Sequence, residues 1–179
     1  MKNLTEALTW LFDQYDRSQI SYCVLRNYDG LLEVNGGNDI DFLIDLTDVR
    51  RNEDILFSLC TRFQWRLLAK SNKYNMSGYK FMSVQRDENV AFLTFDFFHC
   101  IGWKSAILLN TRDILASRIK YGKLYVPNKS HECLITFFHH MLWSGFLRKE
   151  AYKALARQGV GDVIFRGVVE RAFGKTTAM

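Results

Sequence analysis

The chain has 179 residues, of which 48% are hydrophobic and 24% charged, and it contains one proline, Pro127. That balance builds a core without disulfide staples and argues for a globular rather than a disordered chain. The net charge of +5 is spread over Arg50-Arg51, Arg112 to Lys123 and Arg148 to Arg157; it suits a polyanionic ligand such as a nucleotide, but solvated helix faces produce it equally.

Cys23, Cys60, Cys100 and Cys133 show no CxxC or close CxxH spacing, which predicts buried free thiols in a reducing compartment. Glu6 and Asp13 interrupt any leader-like pattern, and no apolar run approaches the roughly 18 residues of a membrane span. The expectation is a cytoplasmic protein with no membrane span.

Leu4, Ala7, Leu8, Leu11, Phe12 and Tyr15 recur at helical spacing, predicting an amphipathic helix over 3–17. A first strand is expected over Ile20 to Leu25. The stretch 27–38, with Asp29-Gly30 and Asn35-Gly36-Gly37-Asn38, has the chemistry of a loop. A second strand follows over 39–45, then a helix over 49–63 with Asp48 as its N-cap. Trp65 to Ala69 reads as a short strand. Tyr79 to Gln85 and Val90 to Phe98 flank a polar turn, as in an antiparallel hairpin. A helix is expected over Thr111 to Ile119, with Gly122 turning the chain into Leu124 to Val126.

Beyond Pro127 the pattern becomes helical. Ser130 is the expected cap of an apolar helix over Glu132 to Trp143, ended or bent at Gly145. Further helices are expected over Lys149 to Gln158 and Asp162 to Phe173. The fold class is therefore α/β (α+β): a mixed sheet flanked by helices over 1–126, and a C-terminal helical unit over 127–179 packed on it.

The second strand, Asp39-Ile-Asp-Phe-Leu-Ile, is unusual because strands disfavour Asp and a buried carboxylate needs a partner. Side chains alternate, so Ile40, Phe42 and Ile44 enter the core while Asp39 and Asp41 share the other face, ~6–7 Å apart. Two carboxylates at that spacing call for a cation, and Mg²⁺ accepts a few carboxylate oxygens plus substrate phosphate oxygens. Asp96, inside the aromatic run Leu93 to Phe98, completes a three-carboxylate cluster if its strand lies alongside. Such a cluster supports in-line phosphoryl chemistry. A plain strand start, with Asp39 in the loop and Asp41 facing water, is the competing account.

Leu25-Arg26-Asn27-Tyr28, the Gly36-Gly37-Asn38 loop and the Asp39 to Asp45 strand resemble the core of the nucleotidyltransferase superfamily, which has the polymerase β-like fold. The chain is most similar to bacterial minimal nucleotidyltransferase-like proteins associated with polysaccharide biosynthesis. The resemblance continues through Phe95-Asp96, Gly102-Trp103, Tyr125-Val-Pro127 and the helical tail. It implies Mg²⁺-dependent transfer of a nucleoside monophosphate from a nucleoside triphosphate to a small-molecule or glycan-related acceptor hydroxyl. Asp39 and Asp41 map onto the paired metal ligands, and Asp96 onto the third carboxylate, which also assists deprotonation of the acceptor. One departure stands out. The superfamily carries a Gly-Gly or Gly-Ser pair after its first strand to hold the triphosphate, where this chain has Arg26-Asn27.

Arg26 either pairs with phosphate oxygens in fork geometry or bonds one of the aspartates. Asn27 and Lys80 are lesser candidates of the same kind, and Gly36 and Gly37 either face phosphate with their N–H groups or form a plain turn. His99 reads as a strand-end histidine or a base. His139 and His140 lack the i, i+4 spacing of a helical metal pair and read as core. Gly102-Trp103 is either an acceptor-pocket wall or ordinary core. Gly174-Lys175-Thr176-Thr177 fails as a P-loop because Val169 stands where the first glycine belongs. Two rival functions stay open: a catalytically inactive nucleotide-binding or regulatory module, and a toxin–antitoxin or RNA-modifying nucleotidyltransferase. The second lacks a visible RNA-binding motif or a concentrated basic stripe.

Overall fold

Residues 2–32, 39–84, 90–103, 106–144 and 163–173 are described by the structure, a computed structural model of the chain. Helix α1 (Lys2–Arg17) is followed by β1 (Tyr22–Val24), β2 (Asp39–Ile44) and α2 (Val49–Phe63). Then come β3 (Trp65–Lys73), β4 (Met76–Val84) and β5 (Val90–Phe98). These strands form one mixed sheet in the order β1-β2-β5-β4-β3. Only β2 and β5 run parallel; the other neighbouring pairs are antiparallel.

Two hairpins and three helices complete the described residues: β6 (Ile101–Trp103) with β7 (Ala106–Leu109), α3 (Thr111–Ala116), β8 (Ile119–Tyr121) with β9 (Leu124–Val126), α4 (Lys129–His139) and α5 (Val163–Phe173). A π-helical turn over His140–Ser144 extends α4. None of the described helices is long and apolar enough to cross a membrane.

The sheet has two different faces, and the alternation within β2 sets both. Ile40, Phe42 and Ile44 meet Ala7, Leu8, Leu11, Phe12 and Tyr15 of α1 and Leu56 and Leu59 of α2 in the main core. Phe42 stacks on Phe97 of β5 at 4.8 Å between ring centroids. Leu43, on the opposite face, joins Cys23 and Leu25 in a second core with Cys133, Leu134 and Phe138 of α4 and Val168 and Val169 of α5. That second core covers the β1–β2 side of the face. The β4–β3 side carries the exposed Lys80, Ala69, Ser71 and Lys73.

Local expectations changed at several points. Asp48 gives α2 no side-chain cap bond; it is buried, accepts from the Ser21 N–H at 3.1 Å and pairs with Arg51. The Ser21 N–H, distant in the chain, and the Arg51 guanidinium, three residues on, take that carboxylate instead. Asn128, not Ser130, caps α4, accepting from the His131 N–H at 2.9 Å, and Asn110 caps α3 in the same way at 3.0 Å. The helix expected to 119 ends at Ala116 because Ile119 enters the β8–β9 hairpin. Strand β3 runs on to Lys73 since β4 pairs with it along its length, with a bulge between Leu67 and Ala69. The expected helix over Lys149 to Gln158, Gly145 and the 174–177 segment lie outside the described residues.

Candidate functional site

The parallel register of β2 and β5 sets Asp41 opposite Asp96 and Asp39 opposite Thr94. Registered residues on neighbouring strands project to the same face, ~5 Å apart. The three carboxylates therefore share one face of the sheet, at the border between its helix-covered and open parts. Asp41 is buried, Asp96 half-buried and Asp39 exposed.

Their charges feel one another. Burial, then the negative charges of Asp39 and Asp41, hold the Asp96 carboxyl above the usual carboxylate value, while Lys73 and Arg26 act in the opposite direction. An excess of negative charge at this point favours a proton or a cation. On β4, Gly78 sits opposite Asp96. A Cβ there would lie 2.9 Å from Asp96 Oδ1 and 2.8 Å from Ser71 Oγ, so the bare backbone makes room for the carboxylate. Lys80 follows two residues on, opposite Thr94.

Arg26 reaches the cluster because the β1–β2 ladder continues one residue beyond β1: the Leu25 N–H donates to the Asp41 carbonyl at 2.9 Å. The next side chain then lies beside Asp41. Arg26 Nε donates to Asp41 Oδ2 in an ion pair, and its Nη1 bonds His139 Nε2 at 2.6 Å. Arginine has no acceptor, so His139 accepts on Nε2 and is neutral in this bond. His139 thus departs from the expected core role and ties α4 to the carboxylates.

Asn27 follows with φ +55°, the left-handed region that asparagine tolerates better than most residues other than glycine. The loop is held from the far side. Tyr28 Oη donates to Glu132 Oε1 of α4 at 2.7 Å, and Tyr121 Oη to Asp29 Oδ1 at 2.9 Å.

A cleft of about 470 Å³, counted with its open mouth, lies between the carboxylate face and α4. Leu25, Phe98, Ile101, Ile135, Phe138 and Leu142 form its apolar wall. Arg26, Asp41, Asn75 and His139 bring polar groups to it. Gly102 of β6 lines it too, closely packed on the Ala106 carbonyl, where a Cβ would come within 2.6 Å.

The remaining candidates stand apart. His99 Nε2 lies 3.0 Å from Ser77 Oγ, and its Nδ1 is buried without a hydrogen-bond partner among the described residues. Burial lowers its pKa. Gly36 and Gly37 lie outside the described residues.

The donors are carboxylate oxygens, the chemistry of a hard divalent cation, and the strained charge of Asp96 fits one. The arrangement is nonetheless open: among the described residues no group of three or more His, Cys, Asp or Glu side chains is placed to hold a metal ion alone. Arg26 occupies one Asp41 oxygen in this arrangement. Gly78, Leu142 and the role of His139 escaped sequence reasoning because each depends on a partner distant along the chain. No family model matches the chain, and neither a curated protein nor a solved structure is similar to it at a significant level.

Proposed function

We propose that the chain is a nucleotidyltransferase that moves a nucleoside monophosphate from a nucleoside triphosphate to the hydroxyl of a small-molecule or glycan-related acceptor. The observation that carries this reading is the registered pair Asp41 and Asp96, with Asp39 on the same face. Polysaccharide biosynthesis is the setting that the sequence resemblance suggests.

In the proposed step the acceptor oxygen bonds to the α-phosphorus. The bond from that phosphorus to the oxygen bridging to the β-phosphate breaks, and pyrophosphate leaves with the electron pair. Asp96, registered beside Asp41, takes the hydroxyl proton as the general base. Asp39, Asp41 and Asp96, together with phosphate oxygens, would hold a Mg²⁺ ion, whose chemistry when bound would be charge neutralisation of the pyrophosphate. Arg26 releases Asp41 and turns its guanidinium to the phosphates, for which its fork geometry suits it. Asn27, with its left-handed backbone, takes the place of the glycine pair in the turn.

The test is pyrophosphate release from each nucleoside triphosphate with Mg²⁺ and a panel of hydroxyl acceptors. Asp41→Asn, nearly isosteric, is expected to lower turnover by on the order of 10²–10³-fold while the protein unfolds as cooperatively as wild type. Undiminished turnover in that variant removes the mechanism.

A second reading, a module that binds nucleotide without chemistry, draws support from Arg26 seated on Asp41. Calorimetric binding of nucleoside triphosphate with no pyrophosphate released for any acceptor selects it.

A further inference from the structure

We infer that the cleft between the carboxylate face and α4 receives a compact alcohol with an apolar body, its hydroxyl directed at Asp41. The inference rests on the nucleotidyltransferase reading only in making this alcohol the acceptor; the binding site itself stands on the cleft.

Its walls decide the body of the ligand. Leu25, Ile135 and Phe138 are buried, and Phe98, Ile101 and Leu142 are half-buried around them. A ring that carries hydroxyls on all sides would lose water on this lining and gain no partner for most of them. A hydrocarbon or aromatic body loses nothing there and gains contact.

The polar end decides the functional group. Arg26 and His139 are bonded to each other, and Arg26 takes Asp41 Oδ2. Among the described residues Asp41 Oδ1 is left as an acceptor at the border of the cleft, beside the registered Asp96. A ligand group meeting it must donate a proton, and a single hydroxyl does so. Asp41 thus belongs to two spaces at once: the open carboxylate face toward β4, and the apolar cleft under α4. A nucleotide on the first and an alcohol in the second meet at the Asp41–Asp96 pair. There the alcohol oxygen joins the α-phosphorus as pyrophosphate departs, and the hydroxyl proton passes to Asp96.

The experiment is ligand-observed NMR on the full chain with three probes: benzyl alcohol, toluene and myo-inositol. Benzyl alcohol is expected to bind in the millimolar range, about tenfold or more tighter than toluene, and myo-inositol not to bind. Leu142→Trp, which fills the cleft from α4's π-helical extension, is expected to abolish benzyl alcohol binding while thermal unfolding stays cooperative. Absence of benzyl alcohol binding to wild type overturns the inference, as does equal binding of myo-inositol, or retained binding in a folded Leu142→Trp protein. Pyrophosphate release is scored separately. Alcohol binding without any nucleotide turnover leaves the cleft assigned and removes the transferase reading; turnover without alcohol binding does the reverse.

Discussion

At the scale of single residues, Asp96 carries the most information, because its environment opposes its own charge. Burial and the neighbouring Asp39 and Asp41 raise its carboxyl above the ordinary 3.8. The consequence for stability has a definite sign. Below the unfolded-state value both states are protonated and no cost arises. As pH rises from there through the raised folded value, the unfolded chain gives up its proton first and the folded state loses stability; above both values the loss is constant. Asp96→Asn is therefore expected to raise the melting temperature at neutral pH, by about 2–4 °C for each kcal/mol released. Melting curves of the two proteins are expected to converge below pH 3.8. Gly78 gives a complementary test. In Gly78→Ala the new methyl meets the Asp96 carboxylate, so turnover is expected to fall by on the order of 10–10²-fold through misplacement. Nucleotide binding measured by calorimetry is expected to fall less than turnover.

At the scale of elements, the pairing of β2 with β5 and the return of α4 over β1 create the site between them. Neither contact is local. Asp41 and Asp96 are brought together across a chain separation that includes α2, β3 and β4. Arg26 and His139 close a still longer loop. That bond joins the helical region to the carboxylate strand, and its worth is testable. His139→Ala is expected to destabilise the protein by about 1.5 kcal/mol, the low end for one hydrogen bond to a charged group, seen as a lower denaturation midpoint. Loss of the anchor leaves Arg26 held, among the described residues, by Asp41 alone, so the variant's affinity for nucleoside triphosphate is expected to be at least that of wild type. A loss of affinity there would show that Arg26 needs its histidine to engage phosphate.

At the scale of the whole molecule, one sheet is divided into a covered and an open half, and in the proposed reaction two reactants would meet at their border. The aromatic core behind the sheet, from Phe12 and Tyr22 to Phe42 and Phe97, gives the carboxylates a rigid floor. The second core under α4 and α5 supplies an apolar wall beside them. A ligand that binds only the folded state stabilises it by mass action, about 2.7 kcal/mol at a hundredfold excess over Kd. Nucleoside triphosphate with Mg²⁺ is accordingly expected to raise the melting temperature by several degrees. Either component alone is expected to do much less, because on the proposed reading the metal would share its ligands between protein and phosphate.

The elements and the alternation of their faces were already written in the chain. Leu8, Leu11, Phe12 and Tyr15 at helical spacing, and the Asp39-Ile-Asp-Phe strand at a period of two, report local geometry that needs no distant partner. The sequence by itself determined that Asp39 and Asp41 share a face opposite Ile40 and Phe42, since a strand permits no other arrangement. Tertiary structure alone decided which strand stands next to it, which residue Arg26 holds, and that Gly78 leaves space for Asp96. Those are pairings between segments far apart in the chain, chosen by the packing of the sheet as a whole. Part of the same reason applies at Asp48, which has the chemistry to cap a helix but accepts from the Ser21 N–H of a distant segment, beside its own neighbour Arg51.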